Sequence, residues 1–509
     1  MTRLTDSLHE RLAAVQNENV VKDEASGTWF TGADIARDIA VLDAALRSAN
    51  VGKDDVVLMC LQNSPVYLPI NQAMWSMGAT IHPIAPSTGL DGLVADFKEN
   101  QYAAVFVDAP RATAFSEIPY VKATPLPNLL MGQDMVLLQN LHHSQPANYD
   151  APTEDTLGMI LNTSGTTGKP KGVGETHAMM INAANHDLES HELTPADTVL
   201  IVMPMFHINA QLVLVLSSFL AGGKMVIAPK FSASKFWPQV LSNDVTWSSV
   251  VPTIVTILLK NEKANAAFRP DHKLRFIRCA SSMLTVSRHK EFVRRFHVPI
   301  LEGYGMTESC SQCTLNPLDA IKVGSAGKPY KTDIAIVNGD KFVQTPGFRG
   351  EIAIRGDHVI TDYMTPHLDS FKDGWMLTGD LGYFDEDGYL WLVGRSKDII
   401  NRGGEKISPT KVEGVIEQLD YVRNVAVVPV PDDIYGEAVA AMVIDGSSDD
   451  ELHQKRRDEI LTFTAKHLAN YERPTQVYFV DHFPLNPTNK IMRPELTKLA
   501  TAMGQKMRA

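Results

Sequence analysis

The chain has 509 residues, 44% of them apolar and 21% charged, and a formal net charge of −12. This is the make-up of an ordinary soluble globular protein of about two to four domains, and the acidic balance argues against a broad nucleic-acid-binding surface. Its four cysteines, Cys60, Cys279, Cys310 and Cys313, are too few for a disulfide framework.

The N-terminus "MTRLTDSLHERLAAVQ" is polar and amphipathic and lacks the apolar core of a secretory signal. Residues 33–49 place Ile35, Ile39, Leu42 and Leu46 at helical spacing, with Gly52 as a stop signal. A strand follows at 55–61 and ends in "QNSP"; "LPINQAMWSMGA" reads as the next helix and "TIHPIAP" as the next strand. The alternation resumes with "TVLIVMP" (198–204), an apolar helix at 211–221 and "KMVIAP" (224–229). Strands alternating with helices predict an α/β fold with a mostly parallel sheet covered by helices. The longest apolar run, 212–220, is broken by Ser217 and Ser218. It is about half the roughly 20 residues a membrane-spanning helix needs, so the expected location is cytoplasmic and reducing.

Residues 334–362 change character to strands with Gly and Asp turns, which predicts a smaller β-rich unit at about 325–394. After Arg395 the pattern changes again. A strand, a Gly pair, a helix opening near Pro409, two strands, a charged helix at 451–469 and a last strand form an α+β unit of about a hundred residues. The expected division is therefore 1–396 and 397–509. Cys310 and Cys313 form a C-x-x-C with no second cysteine pair and no His close by, and read as two reduced thiols near a turn.

The densest chemical signal is "LNTSGTTGKPKGV" (161–173), directly after the apolar strand 157–161. Thr163, Ser164, Thr166 and Thr167 offer hydroxyls, Gly165, Gly168 and Gly172 let amide N–H groups approach an anion, and Lys169 and Lys171 add positive charge. It is not the common phosphate loop: only two residues separate Gly165 from Gly168, and Pro170 follows Lys169. Alone it supports phosphate binding and nothing finer.

Five further stretches accompany it: "PMFHINA" (204–210), "GYGMTE" (303–308), "DGWMLTGD" (373–380), "GRSKDIINRGGEKIS" (394–408) and "PLNPTNK" (484–490). In this order and spacing the chain resembles the adenylate-forming superfamily of acyl-CoA synthetases, carrier-loading adenylation domains and beetle luciferases, over nearly its whole length. The resemblance implies a large N-terminal domain, a small mobile C-terminal domain, and ATP, Mg²⁺ and coenzyme A as reactants. It implies an acyl-adenylate made from a carboxylic acid and ATP with release of pyrophosphate, then transfer to a thiol. Under it, Thr163 to Lys169 and Lys171 wrap the β- and γ-phosphates, Thr307 donates to the α-phosphate, and Glu308 holds Mg²⁺. Gly303, Tyr304, Gly305, Ser281 and Ser282 line the adenine side, with Tyr304 stacked beside the base.

The resemblance further places Asp380 on the ribose hydroxyls with Arg395 behind it, and Met205, His207 and Met283 at the acyl pocket. Lys490 is the implied catalytic cation, reaching the attacking carboxylate and the α-phosphate; relatives carry Gly where this chain has Asn489. Lys397 is the implied hinge, and Gly403 and Gly404 admit the pantetheine arm of CoA. "PMFHINAQ" and "FSASKFW" (231–237) are similar to CoA ligases of the fatty-acid and carnitine/crotonobetaine type. The alternative acceptor is a separate carrier protein. A phosphate-loop kinase fits less well because the spacing fails, and a non-catalytic nucleotide-binding regulator fits less well because Glu308, Asp380 and Lys490 are all present.

Overall fold

A computed structural model of the chain describes residues 1–132, 134–143, 146–163, 171–485 and 491–508. Two compact units divide it: one is Met1–Leu284, Lys290–Ile334 and Ile354–Leu377, the other Thr285–His289, Ala335–Ala353 and Thr378–Ala509.

Two large sheets make the first unit. The seven-stranded sheet has Ala104–Asp108, Val56–Cys60, Thr80–Pro83 and Leu157–Thr163 side by side and parallel, with antiparallel strands at both edges. In the nine-stranded sheet, Ile300–Tyr304, Phe276–Cys279, Trp247–Val250, Thr198–Ile201, Lys224–Ile227 and Asn19–Asp23 run parallel in that spatial order. Thr198–Ile201, Trp247–Val250 and Phe276–Cys279 are short and buried at every residue, as a sheet covered by helices requires. The predicted helix at 33–49 is Gly32–Ser48, opened by a capping box between Thr31 and Asp34 and closed at Ala49 rather than at Gly52. "LPINQAMWSMGA" is the helix Tyr67–Met77, ended by Gly78 at φ 77°.

One predicted helix differs in kind. Residues 211–221 were expected to be a single α-helix; the chain instead forms a π-helix over Asn209–Leu216 and then an α-helix over Ser217–Ala221. Every residue of the π segment is buried. A run in which even the polar Asn209 and Gln211 are buried carries no period that separates the two geometries, and π segments cluster at functional sites.

The predicted β-rich stretch is a six-stranded sheet built from Lys341–Val343, Asp333–Asn338, Gly350–Arg355, Trp375–Phe384, Phe371–Lys372 and Leu390–Arg395. Further on, a five-stranded sheet centres on the long antiparallel pair Asn424–Asp432 and Gly436–Ile444, with Gln476–Phe479 parallel to the latter. The helix Pro409–Ile416 packs there through Val412 and Ile416, and Pro409 stands at its first turn, where no N–H is needed.

Candidate active site

Sheet geometry places several of the sequence candidates together. In open α/β sheets, ligands bind beyond the carboxyl ends of the strands. Three of the parallel strands of the nine-stranded sheet lead to candidates at this end. Thr198–Ile201 leads to Met205 and His207, Phe276–Cys279 leads to Ser281, Ser282 and Met283, and Ile300–Tyr304 carries Gly303 and Tyr304 and leads to Gly305 and Thr307. Ser281 and Ser282 are exposed, and Ser281 sits at φ 74°, a left-handed value that a serine adopts at a cost. Tyr304 is buried, Met283 is half-buried, and Met205 is fully buried in the main core, its amide donating to Asn63 Oδ1. His207 is half-buried beside Phe206, ring centroids 4.1 Å apart.

The turn after Tyr304 is tightly closed. Cys313 N–H donates to Tyr304 O at 2.8 Å, Ser311 N–H to Met306 O at 3.0 Å, and a short 3₁₀ turn spans Thr307–Ser309. A Cβ on Gly305 would collide with the Ser311 carbonyl oxygen, so only glycine fits there. Thr307 is half-buried. Glu308 is buried at 9% exposure, and its Oε1 accepts from the Tyr363 hydroxyl at 2.9 Å. Cys310 and Cys313 are fully buried and not joined in a disulfide. Burial, and then the neighbouring Glu175, push the Cys310 thiol well up, so it stays protonated and unreactive.

Of the phosphate-loop candidates, Thr163 and Lys171 lie on the two paired strands of a hairpin. Leu157–Thr163 pairs antiparallel with Lys171–Thr176, Thr163 opposite Lys171. Residues 164–170, with Ser164, Gly165, Thr166, Thr167, Gly168 and Lys169, lie outside the described residues. Lys171 is described: its Nζ stands 4.5 Å from the centre of the Tyr363 ring and 3.5 Å from Ser370 Oγ. Thus Lys171 and Glu308, separate in sequence, converge on one tyrosine.

Sequence reasoning missed that tyrosine, and it missed Glu175. Glu175 is fully buried on the return strand, and neither carboxylate oxygen has a hydrogen-bond partner among the described residues. Burial raises its pKa well above the ordinary carboxylate value, and the charge of Glu308 raises it further, so folding favours the uncharged form of Glu175. Period two offered the signal. Val173 and Glu175 share a face, so an acid stands where the strand should bury an apolar side chain.

This fixes a pH effect. A folded carboxyl with a raised pKa gives stability that is fully present below its unfolded pKa and is lost as pH rises toward the folded value. Glu175→Gln is therefore expected to unfold at a higher temperature than the wild type at pH 8, with the gap closing toward pH 4.5. Melting curves across that range test it; a gap that widens on acidification would contradict a raised pKa for Glu175.

The second unit carries the remaining candidates. Asp380, in the strand Trp375–Phe384, lies opposite Arg395, whose Nε is 3.0 Å from Asp380 Oδ1. Asp380 is buried and Arg395 half-exposed. Asp380 N–H is taken by Thr378 Oγ1 at 3.1 Å, which fixes the turn. Lys397 is exposed in the 3₁₀ turn Ser396–Asp398. Gly403 and Gly404 are exposed at φ 59° and 95°. A Cβ on Gly403 would meet the Tyr435 ring at 2.9 Å, whereas Gly404 faces open space. Lys490 lies outside the described residues; Leu485 and Ile491, which flank that segment, form an antiparallel bridge.

Residues 8–364 match the family model of the AMP-binding enzymes, and 411–490 match their C-terminal domain. The chain belongs to the AMP-binding enzyme family. A probable CoA ligase of Humulus lupulus, CCL9, is 34% identical to this AMP-binding enzyme over 469 residues, which cover 88% of the chain and 87% of the relative. An oxalate–CoA ligase of Arabidopsis thaliana is 37% identical over 400 residues, covering 76% and 75%. Among solved structures, the o-succinylbenzoate CoA synthetase of Bacillus subtilis in complex with the acyl-adenylate intermediate OSB-AMP matches at a TM-score of 0.82. That match covers 96% of this chain and 97% of the other at 25% identity. The large N-terminal α/β region and the small C-terminal unit are those of the adenylate-forming enzymes.

Proposed function

We propose that this AMP-binding enzyme is an ATP-dependent acid–thiol ligase. It joins a carboxylic acid to coenzyme A through an acyl-adenylate and releases AMP and pyrophosphate. The observation that carries the reading is the convergence at Tyr363. The lysine leaving the phosphate hairpin and the buried carboxylate of the "GYGMTE" turn meet on one side chain, as a nucleotide site needs. The donor set suits Mg²⁺, a hard cation that prefers carboxylate oxygen, and Glu308 is the residue that would hold it. Bound there, Mg²⁺ would neutralise phosphate charge.

The chemical difficulty of the first step is the repulsion between an attacking carboxylate and an anionic α-phosphate. Lys490 and Thr307 would supply the cation and the donor at that centre. Thr163 to Lys169, with Lys171, would hold the leaving pyrophosphate. Asp380, fixed by Arg395, would accept from the ribose hydroxyls. Ser281, Ser282, Gly303, Tyr304 and Gly305 would line the adenine side, and Met205, His207 and Met283 the acyl side. The two stretches similar to CoA ligases of the fatty-acid and carnitine/crotonobetaine type leave aliphatic, aromatic and doubly charged acids all open as substrates, and the reaction is assigned to the cytoplasm. Among the described residues no helix is long and apolar enough to cross a membrane.

In the second step the domain after the hinge at Lys397 would turn, remove Lys490 and bring Gly403 and Gly404 to the site, with domains at 1–396 and 397–509. Lys397→Pro is expected to leave pyrophosphate release within about threefold and to slow thioester formation at least tenfold, because proline removes the backbone freedom a hinge uses. Single-turnover assays of each half-reaction check it, and an equal loss in both would contradict the hinge. The second reading, transfer to a carrier-protein thiol, predicts pyrophosphate release with no acyl-CoA.

A further inference from the structure

Tyr363 belongs to none of the motifs above, yet it is buried at 8% exposure and donates its hydroxyl proton to Glu308 Oε1. We propose that Tyr363 is a positioning residue that aims the Glu308 carboxylate at its cation and ties that aim to the phosphate hairpin. The inference rests on the reading of Glu308 as the Mg²⁺-holding carboxylate. The terminal torsion of a glutamate is broad, so an unrestrained carboxylate samples many orientations. A hydrogen bond to one oxygen removes that freedom and leaves Oε2 as the oxygen free to ligate.

Three features make Tyr363 suited to this task rather than to packing alone. First, its ring is held in place. His367 and Phe371 meet it edge-on, with centroids 6.1 and 5.9 Å away. Second, its segment is stitched to both halves of the site. Ile360 N–H donates to Glu308 O at 2.9 Å, and Met364 N–H donates to Gly172 O at 2.9 Å. The turn bearing Glu308 and the strand leaving the phosphate loop are thereby held by one short stretch, 360–364. Third, the Lys171 ammonium lies over the ring face. A cation there is attracted by the π-cloud and draws electron density from the phenol, which makes its O–H a stronger donor to the carboxylate. Lys171 thus acts through Tyr363 as well as by its own charge.

The test uses the full chain with ATP and its best carboxylic acid substrate, and measures pyrophosphate release across a Mg²⁺ titration. Tyr363→Phe keeps the ring and its packing and loses only the hydroxyl. Its expected effect is about a tenfold rise in the Mg²⁺ concentration for half-maximal rate, the size of one hydrogen bond to a charged group. At saturating Mg²⁺ the rate returns to within about twofold of the wild type. An unchanged Mg²⁺ dependence, or a loss that excess Mg²⁺ does not recover, overturns the positioning role. Glu308→Gln separates this from the underlying reading: wild-type release by that variant at every Mg²⁺ concentration overturns Glu308 as the cation's ligand, whatever Tyr363→Phe does.

Discussion

Replacing Lys490 with alanine is expected to lower acid-dependent pyrophosphate release by about a hundredfold or more while the protein stays folded. Adenylation brings a carboxylate onto a phosphorus already surrounded by negative charge, so a cation that touches both partners acts mainly in the transition state. Removing such a group lowers kcat more than it raises the KM for ATP. A lysine side chain is flexible and carries its charge at the tip, and Lys490→Arg is not a conservative replacement for a point charge that must fit between two anions. The residue lies in the segment flanked by the Leu485–Ile491 bridge, outside the described residues. The thiol-transfer step, started from a preformed acyl-adenylate, is expected to survive the substitution. Pyrophosphate release at the wild-type rate in Lys490→Ala would remove this lysine from the chemistry.

Glu308→Gln carries the second large effect, a loss of about a hundredfold or more in pyrophosphate release. The substitution keeps the shape of the side chain and an oxygen that can accept from Tyr363. It removes the negative charge that a hard dication needs. The loss should therefore persist at high Mg²⁺, in contrast to the recoverable defect of Tyr363→Phe. Glu175 sharpens the expectation. Its raised pKa disfavours a second negative charge beside Glu308. Near-normal turnover by Glu308→Gln, with melting unchanged, would contradict the assignment.

The fold was legible in the sequence, and several candidate site residues stand out there, because both are written in short local patterns. Alternating apolar strands and amphipathic helices gave the parallel sheets, and the chemistry-bearing residues fall at strand ends, where a glycine, a threonine or a carboxylate stands out. "GYGMTE" is one such case: the tight return at Gly305 and the Glu308 turn follow from the backbone demands of that stretch. Asp380 and Arg395 are another, because a hairpin places them opposite one another.

The parts that were not legible depend on contacts between distant segments. Tyr363 is 55 residues from Glu308, and "DYMTPH" has no spacing that announces a role. Glu175 required trusting the two-residue period of a strand over the polarity of its side chain. The π-helix Asn209–Leu216 escaped because eight buried residues in succession present no polar face from which to read a turn angle. The acid itself is set by the walls of a pocket, and walls come from several segments at once.

The most direct test of the central claim is one assay. The purified chain is incubated with ATP, Mg²⁺ and coenzyme A and a panel of carboxylic acids that includes fatty acids, carnitine and oxalate, and AMP, pyrophosphate and acyl-CoA are quantified. An acid–CoA ligase produces the three in equal amounts, and only when a suitable acid is present. Pyrophosphate without any acyl-CoA would contradict coenzyme A as the acceptor, and the absence of nucleotide turnover with every acid would contradict the ligase itself.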